Sequence, residues 1–247
     1  MMIWEGAYMP RFFVNEADDK EILLTGENAR HIGRSLRMRV GEEITVCCGG
    51  IDYNCEISRI TEDSVTAAVV EKIPCEAEPN VEITLFQAVP KLDKLEFIVQ
   101  KSVELGASHI VPVLTRRCIS RPNEKEFGKK TARLNKIAEE AAKQSGRGII
   151  PDVSPIISYK NALEQMRGMD KTLFLYEQGG SPFSEVNFDG AKKIGVVIGS
   201  EGGFDEEEVR KADEAGAERI WLGKRILRCE TAPITALSIL LFLTNNM

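Results

Sequence analysis

Histidine is nearly missing from this chain, whose 247 residues include only His31 and His109. That scarcity argues against a His-rich metal site and against a Ser-His-Asp triad. The six cysteines, at 47, 48, 55, 75, 118 and 229, contain no C-x-x-C pair. They read as reduced thiols, neither a disulfide framework nor a zinc site. Long apolar runs are lacking as well. The longest, residues 234–243, is too short to cross a bilayer. The opening "MMIWEGAYMPRFF" has neither the charged start nor the apolar stretch of a signal peptide, so the expected location is the cytoplasm. A surplus of positive charge is also absent. The formal net charge of −6 argues against a uniformly basic nucleic-acid coat and leaves room for a local basic face. Neither G-x-G-x-x-G nor a P-loop occurs, and no internal repeat or low-complexity segment is visible.

What is present is ordinary for a globular chain, 43% hydrophobic and 28% charged, at a length that suits one or two domains. The first third reads as β. "EITVCCGG", "DYNCEISRI" and "SVTAAVVEKI" are short β-branched runs split by turn signals, which predicts a small antiparallel barrel or sandwich. Ahead of them a short helix carries His31 and the arginines 30, 34, 37 and 39. Near residues 74–80, "PCEAEPN" marks a domain boundary. Beyond it strands and helices alternate. "VEITLFQAV", "SHIVPVLT", "KTLFLYEQ", "KKIGVVIG" and "RIWLG" read as strands. "KLDKLEFIVQKSVELG" reads as a helix with Leu92, Leu95, Val99 and Ser102 on one stripe. Further helices are expected over "KKTARLNKIAEEAAKQSGR", over "DEEEVRKADEAGA" with Asp205 and Glu208 at capping-box spacing, and over "TAPITALSILLFLTNN" with Pro233 in its first turn. Such alternation predicts a largely parallel α/β sheet covered on both faces.

Four stretches bear on chemistry, each with a plain structural alternative. In "VVIGSEGGF" (196–204) a buried strand ends in Gly199, Gly202 and Gly203, where backbone can approach a ligand closely; an ordinary tight turn would look the same. On the helix 129–146, Arg133, Lys136, Lys143, Gln144 and Arg147 share a polar side suited to phosphates, or form a solvated face balanced by Glu139 and Glu140. The arginines around His31 are either a nucleic-acid platform or a charged surface helix. Finally, "LGKRILRCETAP" (222–233) sets Arg225, Arg228 and Glu230 at the start of an apolar helix. Glu230 there suits the helix dipole, whereas Arg228 beside Leu227 needs a partner or a ligand. Cys229, with no histidine nearby in sequence, reads as a small packing residue.

Together "MPRFF" (9–13), "KSVELG" (101–106), "EAAKQSGR" (140–147), "IGSEGGF" (198–204) and "LGKRILRCETA" (222–232) resemble the bacterial 16S ribosomal RNA uridine-N3 methyltransferases of the SPOUT class. The resemblance runs from Met9 onward, and the residues before Met9 fall outside it. The chain departs in having Ser200 where the family usually has Pro and Cys229 where it has Thr.

The resemblance implies an α/β SPOUT domain over 81–247, with a C-terminal trefoil knot, preceded by a small PUA-like β-barrel over 9–78 that helps hold RNA. It implies S-adenosylmethionine as cofactor and a homodimer acting on 16S rRNA of the small ribosomal subunit, with no metal and no membrane. Leu175, Tyr176, Glu177, Ile198, Gly199, Gly202, Gly203, Leu222, Gly223, Ile226 and Leu227 would hold the cofactor. Arg228 would stabilise charge developing on the uracil, with Glu230 and Glu201 as candidate proton acceptors. Arg11, Arg37, Arg133, Lys136, Gln144 and Arg147 would contact RNA. The rivals are a SPOUT-class enzyme methylating a tRNA ribose 2′-hydroxyl, and a non-catalytic RNA-binding assembly factor. An ordinary nucleotide-binding α/β enzyme is opposed by the missing phosphate-loop motifs.

Overall fold

A computed structural model describes residues 9–91 and 94–247. The stretch before Met9 and the expected stripe residue Leu92 lie outside the described residues. The chain divides into two compact units, one comprising Met1–Glu78 with Lys143–Ile150, the other Pro79–Ala142 with Pro151–Met247.

The first unit contains β1 (Arg11–Phe13), β2 (Glu21–Thr25), α1 (Gly26–Arg30) running into a single π turn (His31–Leu36), β3 (Glu43–Cys48), β4 (Ile51–Ile60) and β5 (Ser64–Pro74). The three β-branched runs become β3–β5, an antiparallel meander whose first turn uses Gly49 and Gly50 at positive φ. The five strands run in the order β1-β3-β4-β5-β2. Two features differ from the antiparallel barrel predicted from sequence. The short β1 pairs parallel to β3, Arg11 opposite Thr45. The terminal strands β1 and β2 do not pair with each other among the described residues, so the sheet is a half-barrel. Alternation points Phe12, Ile22, Leu24, Ile44, Val46, Ile57 and Val65 into one core that also takes Ile32 from the π turn. The segment Lys143–Ile150 is bound to this unit by close packing. A Cβ on Gly148 would stand 2.5 Å from the Cβ of Cys75, so only glycine fits there.

The second unit is a single eight-stranded sheet. Its elements are β6 (Glu82–Ala88), α2 (Lys94–Glu104), β7 (His109–Leu114), α3 (Glu124–Ser145), β8 (Asp152–Val153), β9 (Ile157–Ser158), α4 (Tyr159–Met166), β10 (Lys171–Leu175), β11 (Ser181–Pro182), β12 (Lys193–Ile198), α5 (Glu206–Glu214), β13 (Glu218–Trp221) and α6 (Thr231–Leu243). The last turn of α3 falls in the first unit. The strand order is β11-β13-β10-β12-β6-β7-β8, with β9 also on β7, and every one of these pairings is parallel. The central β6 and β12 are buried along nearly their whole length, as strands covered on both faces must be.

On one side of this sheet Phe86, Phe174 and Val197 pack with Tyr159, Leu163 and Met166 of α4 and Val209 and Ala212 of α5. The expected capping box starts α5. Asp205 accepts from the Glu207 N–H at 3.1 Å, and Glu208 accepts from the Asp205 N–H at 3.0 Å. Elsewhere α2 and α6 pack together and α6 meets β12, whose Ile194, Val196 and Ile198 alternate with Val197. Leu95, Val99 and Ser102 form the buried stripe of α2. The helix α4 and the two-residue strands had no sequence signal strong enough to mark them.

Candidate active site

The loops that follow three neighbouring strands, β13, β10 and β12, open at one end of the parallel sheet. That end is where α/β sheets hold ligands. Between them lies a cavity of about 790 Å³, a size typical of small-molecule sites. Leu175, Tyr176 and Glu177 line it from β10, Ile198, Gly199, Gly202 and Gly203 from β12, and Leu222, Gly223, Ile226 and Leu227 from the loop after β13. Leu175, Tyr176 and Ile198 give it a buried apolar wall, while Glu177 is exposed at its rim. Ile226 is 84% exposed, on the outer lip of the last loop.

The glycines are required by how the loops touch. Gly203 sits at φ +65°, and a Cβ there would lie 2.9 Å from Glu177 Oε1. A Cβ on Gly202 would come within 2.9 Å of the Cβ of Arg117, whose own Nη1 donates to the Gly202 carbonyl at 3.2 Å. Ser200, in place of the expected Pro, keeps the loop closed. Its carbonyl accepts from the Gly203 N–H at 2.9 Å, and its hydroxyl donates to the Arg117 carbonyl at 3.5 Å.

Three charged residues anticipated from sequence stand here, in an arrangement the sequence did not suggest. Arg228 lines the cavity, is exposed, and makes no ion pair among the described residues. It is not squeezed against the apolar helix as its neighbours in sequence implied. Glu230 occupies the N-cap of α6 but makes no capping hydrogen bond. Its carboxylate instead accepts from the Lys94 ammonium at 3.0 Å and from the Cys229 thiol at 3.2 Å. Glu201 meets the same ammonium at 3.1 Å and accepts from the Lys91 N–H at 3.2 and 3.3 Å. Lys94, at the start of described α2, thus ties two loops together, and sequence reasoning missed it. Nothing in the local sequence "PKLDK" set this lysine apart.

This network fixes the charges. Burial pushes the Glu201 carboxyl up, but its own backbone N–H, Lys94 and the Lys91 N–H outweigh that and leave it below its ordinary value. Burial likewise opposes ionisation of Glu230, and Lys94 with the Cys229 thiol brings it down. Lys94 is raised by Glu230 first and Glu201 second. The Cys229 thiol, buried and facing Glu230, is pushed up to about 12, which suits packing and not nucleophilic attack.

The six residues expected on RNA are scattered in character. Arg37 is exposed, at positive φ just after the π turn. Arg133 and Lys136 are exposed on α3, Arg133 with an ion pair to Glu96 at 2.8 Å. Gln144 is exposed near the end of α3, in the other unit. Arg147 is a correction. Only 2% exposed, it donates to Glu78 through Nε at 3.2 Å and Nη2 at 2.7 Å. Arg11 is held by both oxygens of Asp52, at 2.6 and 2.9 Å, and reaches the Arg147 carbonyl at 3.4 Å. Both guanidiniums are occupied inside the first unit, where buried charges must be paired. Among the described residues no group of three His, Cys, Asp or Glu stands close enough to hold a metal ion, and no helix is long and apolar enough to cross a membrane.

Comparison with known proteins finds relatives over nearly the whole chain. Residues 77–241 match the family described as RNA methyltransferase domain, and residues 24–70 match the RNA methyltransferase PUA domain. The chain is 36% identical over 230 residues to ribosomal RNA small subunit methyltransferase E of Bacillus subtilis, covering 90% of each. It is 34% identical to the protein of the same name from Mesomycoplasma hyopneumoniae, over 93% of this chain and 98% of that one. A crystal structure of ribosomal RNA small subunit methyltransferase E from Neisseria gonorrhoeae, bound to S-adenosyl methionine, superposes with a TM-score of 0.85. Its identity is 34%, over 95% of this chain and 98% of that one. With its half-barrel, its parallel sheet and a cleft where the glycine loop and the last loop meet, the chain belongs to the ribosomal RNA small subunit methyltransferase E family.

Proposed function

We propose that the chain transfers a methyl group from S-adenosylmethionine to N3 of a uridine in 16S rRNA of the small ribosomal subunit, acting in the cytoplasm as a homodimer. The observation that carries this reading is the cleft itself, built by three adjacent strand-end loops in a chain of this family. The residues fit the cofactor. The apolar wall of Leu175, Tyr176 and Ile198 suits a flat base, and Glu177 and Glu201 set carboxylates where hydroxyl and cationic groups would be held. The reading includes threading of the segment after β12 as a trefoil knot, supported by the way the loops after β10, β12 and β13 enclose one cavity.

S-Adenosylmethionine supplies an activated methyl group on a sulfonium with a neutral leaving group, so the protein's tasks are alignment and exclusion of water. Uridine N3 carries a proton, and its loss puts negative charge on O2 and O4. Arg228, exposed in the cleft with no carboxylate partner among the described residues, is a cation available to stabilise that charge, with Lys224 and Arg225 of the same loop also lining the cleft. Glu201 and Glu230, both held below their ordinary values, are ionised acceptors of low basicity. They serve better to orient Lys94 and the loops than to abstract the proton. Arg37, Lys136, Arg133 and Gln144 are the exposed residues left to meet RNA. The dimer reading is supported by α6, apolar apart from Thr231, Thr235 and Ser238, on which Phe242 is 70% exposed and Ile234 and Ile239 are part-buried.

The test is incubation with labelled S-adenosylmethionine and unmodified small ribosomal subunits, followed by mass-spectrometric mapping of the methylated nucleotide. Label on uridine N3 is expected. Label on a ribose, or in transfer RNA only, overturns the reading.

A further inference from the structure

A second cavity, of about 480 Å³, opens beside the end of β7 in the same unit. Its walls are Leu114, Thr115 and Arg116 after the strand, Arg121 on the following loop, Tyr159, Lys160 and Leu163 of α4, and Glu208 and Lys211 of α5. Four of these nine side chains are cations. Their partners divide them into two pairs. Arg116 is bound to Asp205 at 2.8 Å and Glu207 at 2.5 Å, and Lys211 to Glu207 at 2.8 Å. Arg121 and Lys160 have no carboxylate partner among the described residues.

Arg121 is nevertheless held in place. Its Nη2 donates to two backbone carbonyls, of Thr115 and Arg116, each at 2.8 Å. Carbonyls fix a guanidinium without neutralising it, so the full charge and the remaining donors stay available. The one acid in the wall is turned away from this role. Glu208 is 3% exposed, with Oε1 accepting from the Arg116 N–H at 2.8 Å and Oε2 from the Asp205 N–H at 3.0 Å. Tyr159 donates its hydroxyl to the Glu208 carbonyl at 2.7 Å, and burial pushes its ionisation up, so it adds no charge. An arginine clamped by carbonyls and an open lysine across a concave wall suit one oxyanion with several acceptor oxygens.

The position of the cavity selects the anion. The loop 115–121 forms one wall of it and also touches the glycine loop of the cofactor cleft, through Arg117 Nη1 on the Gly202 carbonyl and the Arg117 carbonyl on the Ser200 hydroxyl. Strand β7 lies two places from β12 in the sheet, which is about 10 Å at the usual strand spacing. A nucleotide chain whose target base enters the cleft carries a phosphate every few ångströms past that point.

We infer that the cavity under Arg121 and Lys160 binds backbone phosphate of the RNA strand flanking the methylated nucleotide. This rests on the RNA reading of the first cleft. Arg116 and Lys211, screened by Asp205 and Glu207, stiffen the wall, while Arg121 and Lys160 make the contacts.

The double variant Arg121→Gln, Lys160→Gln tests this in methyl-transfer assays on unmodified small ribosomal subunits across a salt series. The Michaelis constant for the particle is expected to rise. The slope of its logarithm against log salt should fall by about 1.4, from two phosphate contacts at about 0.7 each on a single strand. Affinity for S-adenosylmethionine, read by calorimetry, should stay at the wild-type value, which shows that the variant is folded. A wild-type Michaelis constant and slope in the folded variant overturn the inference. So does a variant that loses affinity for inorganic phosphate, by calorimetry, while its particle kinetics are unchanged, because the site would then serve a free anion. Failure of the wild-type protein to methylate the particle at all would instead sink the reading of the first cleft.

Discussion

The Lys94 ammonium lies 3.0 Å from the Glu230 carboxylate, and this contact joins the first described turn of α2 to the start of α6. With its second bond to Glu201, it makes the glycine loop and the last loop one mechanical piece. Replacing Lys94 by Met leaves two carboxylates facing each other without their shared cation. Cofactor affinity and turnover should both drop, with Lys94→Arg recovering part of each. Both acids are held below their ordinary values in the wild type, so the stability they contribute is present above the unfolded carboxylate range and lost as pH falls through the folded values. Thermal melts from about pH 3 to pH 7 should show that acid-side loss in the wild type and a flatter curve in Lys94→Met. Identical curves would remove the coupling.

Arg228→Ala should lower turnover by about 10²–10³-fold, the usual loss for a charge-stabilising donor, with S-adenosylmethionine affinity nearly intact. Single-turnover rates and calorimetry check the two halves separately. Unchanged turnover would remove Arg228 from the chemistry.

At the opposite end of the sheet, His109 Nδ1 is bonded to Asp152, with Glu82 at 3.6 Å from Nε2. The Asp152 bond raises the imidazole above its ordinary value, against the opposing effect of burial, with Glu82 adding to the rise. Its contribution to stability is therefore complete below the unfolded histidine value and lost as pH rises through the higher folded one. Melting temperatures from about pH 5 to pH 9 should decline for the wild type more than for His109→Gln. Parallel curves would show that the pair contributes nothing.

Glu78 accepts four hydrogen bonds, from Nε and Nη2 of Arg147 and from the Gly148 and Ile149 N–H groups at 2.9 and 3.0 Å. Glu78→Ala strands a guanidinium that is 3% exposed, at a cost of about 3–5 kcal/mol. Urea titration of the variant should show the midpoint falling accordingly. A loss below about 1 kcal/mol, the scale of a surface pair, would mean that the arginine is not truly buried.

Periodicity made the elements legible where burial follows it. The β3–β5 meander, the parallel core and the Asp205–Glu208 cap could all be read from neighbours in sequence. What could not be read depends on residues distant along the chain. Arg147 looked like a surface cation at a helix end, and it is Glu78, at the domain boundary, that draws it inside. Lys94 gave no local sign, because its meaning comes from Glu201 and Glu230, each more than a hundred residues away. Arg228 was expected to need a partner or a ligand, and only the fold of the last loop shows that it stands exposed along the cavity with no ion pair among the described residues. The parallel pairing of β1 on β3 was not legible either, because a strand of three residues carries no periodic signature of its own.

The central pairing of the second unit sets Glu82 beside Lys193, so the middle of the sheet waits for a strand synthesised long after its neighbour. Long-range parallel pairing of this kind is slow, because the chain between must be ordered before any contact rewards it. Until β12 inserts, the apolar edges of β6 and β10 stand bare, an invitation to other chains emerging from the ribosome. The cleft proposed for the cofactor, whose walls follow β12 and β13, cannot exist before that insertion. A protein able to take up its cofactor has therefore already finished its riskiest folding step, and ligand capture doubles as a certificate of maturity.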